Sequence, residues 1–597
     1  MWLDPERMKQ RGTPDKVQKL SSLFQHPYIV TPLGLALTDA GDPVGHYLSY
    51  IEDPPIGHPL SRVFTNDFYQ SERFTDKLAS KLVDRMRETV LFAHDRGAIL
   101  VDPNELNWFA LSVRKDPEPR IIDVDSWVIG AMPPTVAVMP SIRDWHARKF
   151  NHESDWFSWA IVTFQVFTGI HPYKGTLDGY ARTDMEKRMQ NNASVFSSGV
   201  RLNRAVRDFS CISLPLLNWY EATFQKGERT KPPSPFDTGV TTPRAVRILR
   251  AVTTGKTDML VFEKLLGYSG DSVIHTFHCG VVLLASGKLI DLTTKRQIAV
   301  SASLACEVIR VSNGWIIGSL DGRQAVFVYV SDRTLQSTVL PFPMQASRLL
   351  SYENRIFLVG DKGLTEVKFN FFGEKIVASA GQTWGVIVNS TKWFSGVGVL
   401  DAMGAKFVIV PFGDGAVAQI RVRELDGIQI IAAKAGNRFA SFIALDKKGD
   451  YHKIEITFDS EYRTYKVWMG ITDGPELNLA ILPKGVCATI IKDGELNIFV
   501  PMNGSLTRVE DKLIATDMLL SNWGDRVIYV QNGAVWAVRM KGFCSFGIVF
   551  FDYRLFKVKP CRRFLILKGK KSHSGCRATL IGVERLFLCV RYPCSLL

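Results

Sequence analysis

The sequence predicts a multidomain chain. A mainly helical α+β part, residues 1–228, is followed by an all-β part of about seven repeated units, residues 246–541. Three observations carry this reading. Apolar residues recur at helical spacing in the first part, as in Glu72–Gly97 and Ser154–Ile170. Past residue 240, short β-branched and aromatic runs alternate with Gly, Asp and Asn turns. Between the two lies a stretch rich in Pro, Thr and charge, read as an extended linker over residues 229–245.

The second part repeats one pattern: a Gly or Asn turn, four to six apolar residues, a second Gly-bearing turn, then an alternating strand. It starts at Cys279, Asn313, Asn354, Gly404, Asn437, Gly485 and Gly524, a mean period of about 41 residues. Strands repeating at roughly 40–45 residues are the mark of β-propeller blades. One four-stranded sheet cannot bury both of its faces, whereas a ring of sheets can. The alternatives are a pair of β-sandwiches or a solenoid.

The chain has 597 residues and a net charge of +14, which invites a nucleic-acid reading. The charge is concentrated, however. Residues 542–597 hold eleven Lys and Arg against Asp552 and Glu584, or +9, leaving +5 for the rest. This placement argues against nucleic acid as a partner of the main body. Five of the nine cysteines fall in the same tail, and the tail does not continue the repeat. It reads as a basic arm for nucleic acid or a membrane surface, as a poorly matched last blade, or as translation in a shifted frame; the abrupt change of composition favours the last. No cysteine framework or metal-ligand spacing is present, so a reducing, cytoplasmic setting is expected. No apolar run approaches the ~20 residues of a membrane-crossing helix, and no membrane association is expected. The first residues lack a signal-peptide pattern.

The chemistry-bearing stretch is His94–Trp127. Asp102 is followed five residues later by Asn107, and sixteen residues on comes Asp123, inside an apolar strand signal with Asp125. Phosphoryl transfer needs such a set: one carboxylate to accept or orient the proton of the attacking hydroxyl, and a carboxylate with an amide oxygen to hold Mg²⁺ against phosphates. Alone, the spacing is weak, because Asp and Asn are ordinary turn residues.

The surroundings resemble the protein kinase family, with landmarks in family order. Leu23–Pro32 resembles the segment after the αC helix, Gly45–Asp53 the strand entering the hinge, and Glu72–Arg96 the long helix before the catalytic loop. Ser154–Gly175 is similar to the helix whose buried Asp clamps that loop, with the TGxxP turn after it. The nearest flavour is a divergent bacterial or phage set. The resemblance implies that Asp102 is the catalytic carboxylate, that Asn107 and Asp123 are Mg²⁺ ligands, that Asn104 contacts the cofactor, and that Asp155 is a structural clamp. It also implies Ser/Thr-type, ATP- and Mg²⁺-dependent phosphoryl transfer to a protein substrate or signalling partner. Bacterial kinases of this kind often accompany a partner phosphatase, which adds a cognate protein phosphatase as a candidate partner.

The departures are equally definite. The 25 residues before His26 contain no GxGxxG and no strand Lys of the VAIK type. Residues 13–24 take the place of αC without its Glu, and Lys9, Lys16 and Lys19 read as solvated. The Arg before the catalytic Asp is replaced by Val101, and no APE signature is evident. Either the chain is a pseudokinase or its upstream lobe is encoded elsewhere. Two functions therefore stand: a kinase-like enzyme with a propeller as interaction module, or a catalytically inactive kinase-fold and propeller scaffold for protein–protein interaction.

Overall fold

The helical half is built outward from one helix. In order come α1 (Pro5–Gln10), α2 (Thr13–Leu23), a hairpin of β1 (Gly34–Leu37) with β2 (Pro43–Tyr47), and β3 (Gly57–Pro59). Next are α3 (Leu60–Val63), α4 (Asn66–Ser71), α5 (Asp76–His94), β4 (Ala98–Ile99), β5 (Trp108–Leu111), β6 (Glu118–Ile121) and β7 (Val128–Ile129). They are followed by α6 (His152–Thr168), α7 (Met185–Gln190), β8 (Arg201–Leu202) and α8 (Leu214–Gln225). The computed structural model describes residues 4–51, 57–237, 249–250 and 260–541, apart from residues 300, 374, 414, 484 and 502.

Helix α6 is the central one. Asn151 and Ser154 cap it reciprocally, each side chain taking the other's backbone N–H. Gly169 ends it at φ +76, a left-handed conformation that suits glycine. Every side chain from Ser154 to Thr168 is buried, so the helix is apolar nearly all round instead of on one stripe. Helix α5 shows the ordinary stripe, burying Ala79, Leu82, Val83, Met86, Val90 and Ala93 at three- and four-residue spacing against it. Strands β3, β5 and β6 form one small antiparallel sheet, and β4 pairs with β7. These pairings fold the His94–Trp127 stretch into a loop, a hairpin and a turn.

The sheet half contains seven four-stranded antiparallel sheets among the described residues. Six are built from consecutive strands, from Val273–Thr276 in the first to Ser505–Glu510 in the sixth. The seventh takes Leu519–Trp523, Arg526–Gln531 and Ala534–Met540 from the end of the region and its outer strand, Leu260–Leu266, from the beginning. Neighbouring sheets share buried clusters. Val282 and Ile290 of the first sheet meet Ile528 and Val535 of the seventh. Leu283 of the first packs with Trp315 of the second, and Phe327 of the second with Leu358 of the third. Phe357, Val408 and Phe442 join the third, fourth and fifth. Phe439 of the fifth meets Phe499 of the sixth, and Leu496 of the sixth meets Tyr529 of the seventh. Burying each such side chain contributes about 1.5–3 kcal/mol, and second strands such as Phe439–Leu445 are buried at every residue.

Several sequence expectations change here. Six of the repeat motifs begin at the turn between the first and second strands of a sheet, but the one at Gly404 begins between the second and third. Asp123 does not continue a strand. Strand β6 ends at Ile121, Asp123 takes φ +59, and Val124–Ser126 forms a 3₁₀ turn. Residues 229–237 of the expected linker are fastened to the helical half. Arg229 grips Asp144 at 2.6 and 2.9 Å, Thr230 accepts from Trp219 Nε1, and the Pro232 carbonyl accepts from Arg87. The rest of that linker, residues 238–245, and the basic tail, residues 542–597, lie outside the described residues. Among the described residues no helix is long and apolar enough to cross a membrane.

Candidate functional site

The loop from Leu100 to Asn107 is held from below by α6. Asp155, at its first turn, is 1% exposed. Its Oδ2 accepts the Leu100 N–H at 2.7 Å and His94 Nε2 at 2.9 Å, and its Oδ1 accepts the Val101 N–H at 3.0 Å. Val101 needs the help: its φ of +69 is a conformation that β-branched residues avoid, at a cost of order 1–3 kcal/mol. The His94 ring stacks on His152 at 3.9 Å and meets the edge of Trp156, which fixes the third donor. Among the described residues Asp155 hydrogen-bonds only to backbone and to His94, as a positioning group does.

Above this clamp, Asp102 is nearly buried, and burial pushes its carboxyl above the ordinary range. Its Oδ1 accepts the Met139 N–H and its Oδ2 accepts Asn104 Nδ2, both at 2.9 Å. Asn104 is also spent at its other end, where Oδ1 accepts the Leu106 N–H. A side chain expected to contact a cofactor is thus engaged inside the protein, orienting Asp102. Asn107 donates Nδ2 to the Asp102 carbonyl at 2.9 Å, and its amide oxygen has no hydrogen bond among the described residues. That leaves this oxygen as the donor atom suited to a cation.

Asp123 and Asp125 leave the β6 hairpin on the 3₁₀ turn. Burial, then the neighbouring Asp125, then Asp102, push the Asp123 carboxyl up to about 7. Carboxylates crowded in this way are suited to a divalent cation, which removes their mutual repulsion. Among the described residues no three His, Cys, Asp or Glu side chains group as a metal site.

Two members were not found in the sequence. Lys16 on α2, read there as solvated, is 2% exposed, donates to the Pro133 carbonyl at 2.9 Å, and lies within electrostatic reach of Asp125 and Asp123. Burial pulls its ammonium down to about 8. Glu105, also 2% exposed, accepts the Tyr451 hydroxyl of the fifth sheet at 3.0 Å. Residues separated by 117 and 346 positions leave no signal in a linear pattern.

The Tyr451 contact belongs to a broad junction. Ser141 donates its N–H to the Lys448 carbonyl, and Gly449 lies so close to Ser141 that a Cβ there would fall 1.9 Å from its Oγ. Met139 and Leu106 pack on Ile431, Ile443 and Leu445. Further round, Glu476 accepts the Asn66 N–H at 2.6 Å, Arg182 forks onto Asp473, and Asp493 accepts the Arg204 N–H. The segment that bonds Asp102 is therefore seated on the sheet half.

No family model matches the chain, and no curated protein matches it.

Proposed function

We propose that the helical half is a protein kinase-like domain of Ser/Thr type, and that the seven sheets close into a β-propeller serving as its interaction module. The observation that carries the first part is the single loop and turn, clamped by Asp155, on which Asp102, Asn107 and Asp123 come together. The second part rests on the pairing of Leu260–Leu266 with Ala534–Met540 and on the clusters shared by successive sheets. In this reading Asn107 and Asp123 hold Mg²⁺, and Mg²⁺-ATP, when bound, supplies the phosphoryl group. Asp102 orients the acceptor hydroxyl of a protein substrate and takes its proton, for which a carboxyl lifted by burial is better suited than an exposed one. Asn104 and Asn107 fix the loop geometry, and Asp155 fixes the backbone beneath it. A cognate protein phosphatase remains a proposed partner.

One observation favours the second reading, an inactive scaffold. Both oxygens of Asp102 already accept hydrogen bonds within the chain, one from a segment seated on the sheets. The test is thermal denaturation of the full chain with and without Mg²⁺-ATP, followed by a phosphoryl-transfer assay on a generic protein substrate. The kinase reading expects stabilisation by several degrees at saturating nucleotide, its loss in Asp123→Asn, and transfer that Asp102→Ala abolishes. Binding without transfer selects the scaffold. The absence of any nucleotide effect overturns the kinase reading.

A further inference from the structure

Lys16 is buried in a place that its own charge balance does not explain. The helix that carries it packs against the Val124–Ser126 turn. One ammonium hydrogen goes to the Pro133 carbonyl. Two residues along, the Thr135 hydroxyl donates to the Asp125 carbonyl at 3.1 Å, so the same segment ties α2 to the turn. Asp123 and Asp125 act on the ammonium through space. Yet Lys16 forms no ion pair within 4.0 Å among the described residues. A lysine on a flexible four-carbon stem would close onto these carboxylates if neutralising them were its purpose. Instead the buried ammonium stays within electrostatic reach of two crowded carboxylates without an ion pair to either, and each side is left electrostatically unfinished. A free anion is repelled by the carboxylates, and a bare cation is repelled by the ammonium. The ligand that satisfies both sides is an anion carried with its own divalent metal, that is, a metal-bound polyphosphate.

We infer that Lys16 is the phosphate-binding cation of this site, reaching the phosphate oxygens of the nucleotide whose metal Asn107 and Asp123 hold. The inference rests on the nucleotide reading above. It adds that the anchoring charge comes from helix α2, and so removes the need for a lysine on a preceding strand.

The experiment measures Mg²⁺-ATP affinity of the full chain by calorimetry for wild type, Lys16→Met, Lys16→Arg and Asp123→Asn. Loss of a charge-assisted contact to phosphate is expected to weaken Lys16→Met by roughly tenfold or more, with part of the loss restored in Lys16→Arg. If wild type does not bind, the nucleotide reading falls and this inference with it. If wild type binds, Asp123→Asn abolishes binding and Lys16→Met stays within about twofold, only the inference falls. A second measurement needs no substitution. An acyl-phosphate derivative of ATP transfers its acyl group to an amine beside the phosphates, releasing the nucleotide. Peptide mapping of wild type should then find Lys16 acylated, and Mg²⁺-ATP should protect it. Acylation of other lysines with Lys16 untouched overturns the inference.

Discussion

The two halves of this molecule store stability differently. The helical half has one continuous buried cluster, running from Leu20 on α2 through α5 and α6 to Phe224 on α8. The sheet half divides its apolar residues among several clusters, each shared by neighbouring sheets. Within the single core one buried carboxylate, Asp155, holds directly a loop that lies 55 residues away in sequence. A series of smaller cores ties each lesion to the two or three sheets that share its cluster. The candidate site residues sit on the first kind of half, where backbone strain such as that at Val101 can be sustained.

The sharpest way to break the comparison is Asp155→Ala. It leaves two backbone N–H groups and His94 without their buried acceptor, and a loss of about 3–5 kcal/mol is expected. Urea unfolding followed by tryptophan fluorescence should show an early transition for the helical half, with the β circular dichroism signal persisting beyond it. A single coincident transition would mean that the halves unfold as one unit and that the contrast is not energetic.

A smaller effect probes the junction. Gly449 and Gly41 both take φ +86, but a Cβ at Gly41 meets nothing within 4 Å. Gly41→Val should cost about 1 kcal/mol from the backbone alone, and Gly449→Val roughly 2–4 kcal/mol because it also drives into Ser141. Equal losses would show that the seating of Ser141 on the sheets contributes nothing.

The smallest expected effect is a pH dependence. Burial, then the nearby Asp67, push the Glu476 carboxyl up to about 7. A raised carboxyl stabilises the fold fully below its unfolded value of about 4.5, and that contribution is lost as pH rises through about 7. Glu476→Gln stays neutral and can still accept the Asn66 N–H. Melting temperatures measured from pH 5 to 8 should therefore fall in wild type relative to the variant, by a few degrees. Parallel curves would place this group outside the junction's energetics.

What the sequence reveals follows from the range over which each signal acts. The Glu72–Arg96 and Ser154–Ile170 helices are legible because periodicity and capping are local, and Asp155 stands out as an acid at the head of an apolar helix. The Gly404 motif slips by one strand because Gly404 makes the second-to-third turn of that sheet resemble the first-to-second turn of the others, and Gly413 and Gly415 make its third-to-fourth turn resemble their second-to-third turn. Asp123 sits beyond its strand because a positive φ leaves no mark on hydropathy. Lys16 reads as solvated because Val17 and Leu20 account for the buried side of α2, whereas its acceptor, Pro133, is supplied by tertiary structure alone. The seating of Met139 and Ser141 on the fifth sheet is invisible for the same reason.

The pairing of Leu260–Leu266 with Ala534–Met540 also has a history in time. On the ribosome the first of these strands emerges roughly 270 residues before its partner. At ordinary elongation rates it waits on the order of tens of seconds with an open edge. Its Glu263 and Lys264, both exposed, are the kind of charged gatekeepers that keep such an edge from pairing with another nascent chain.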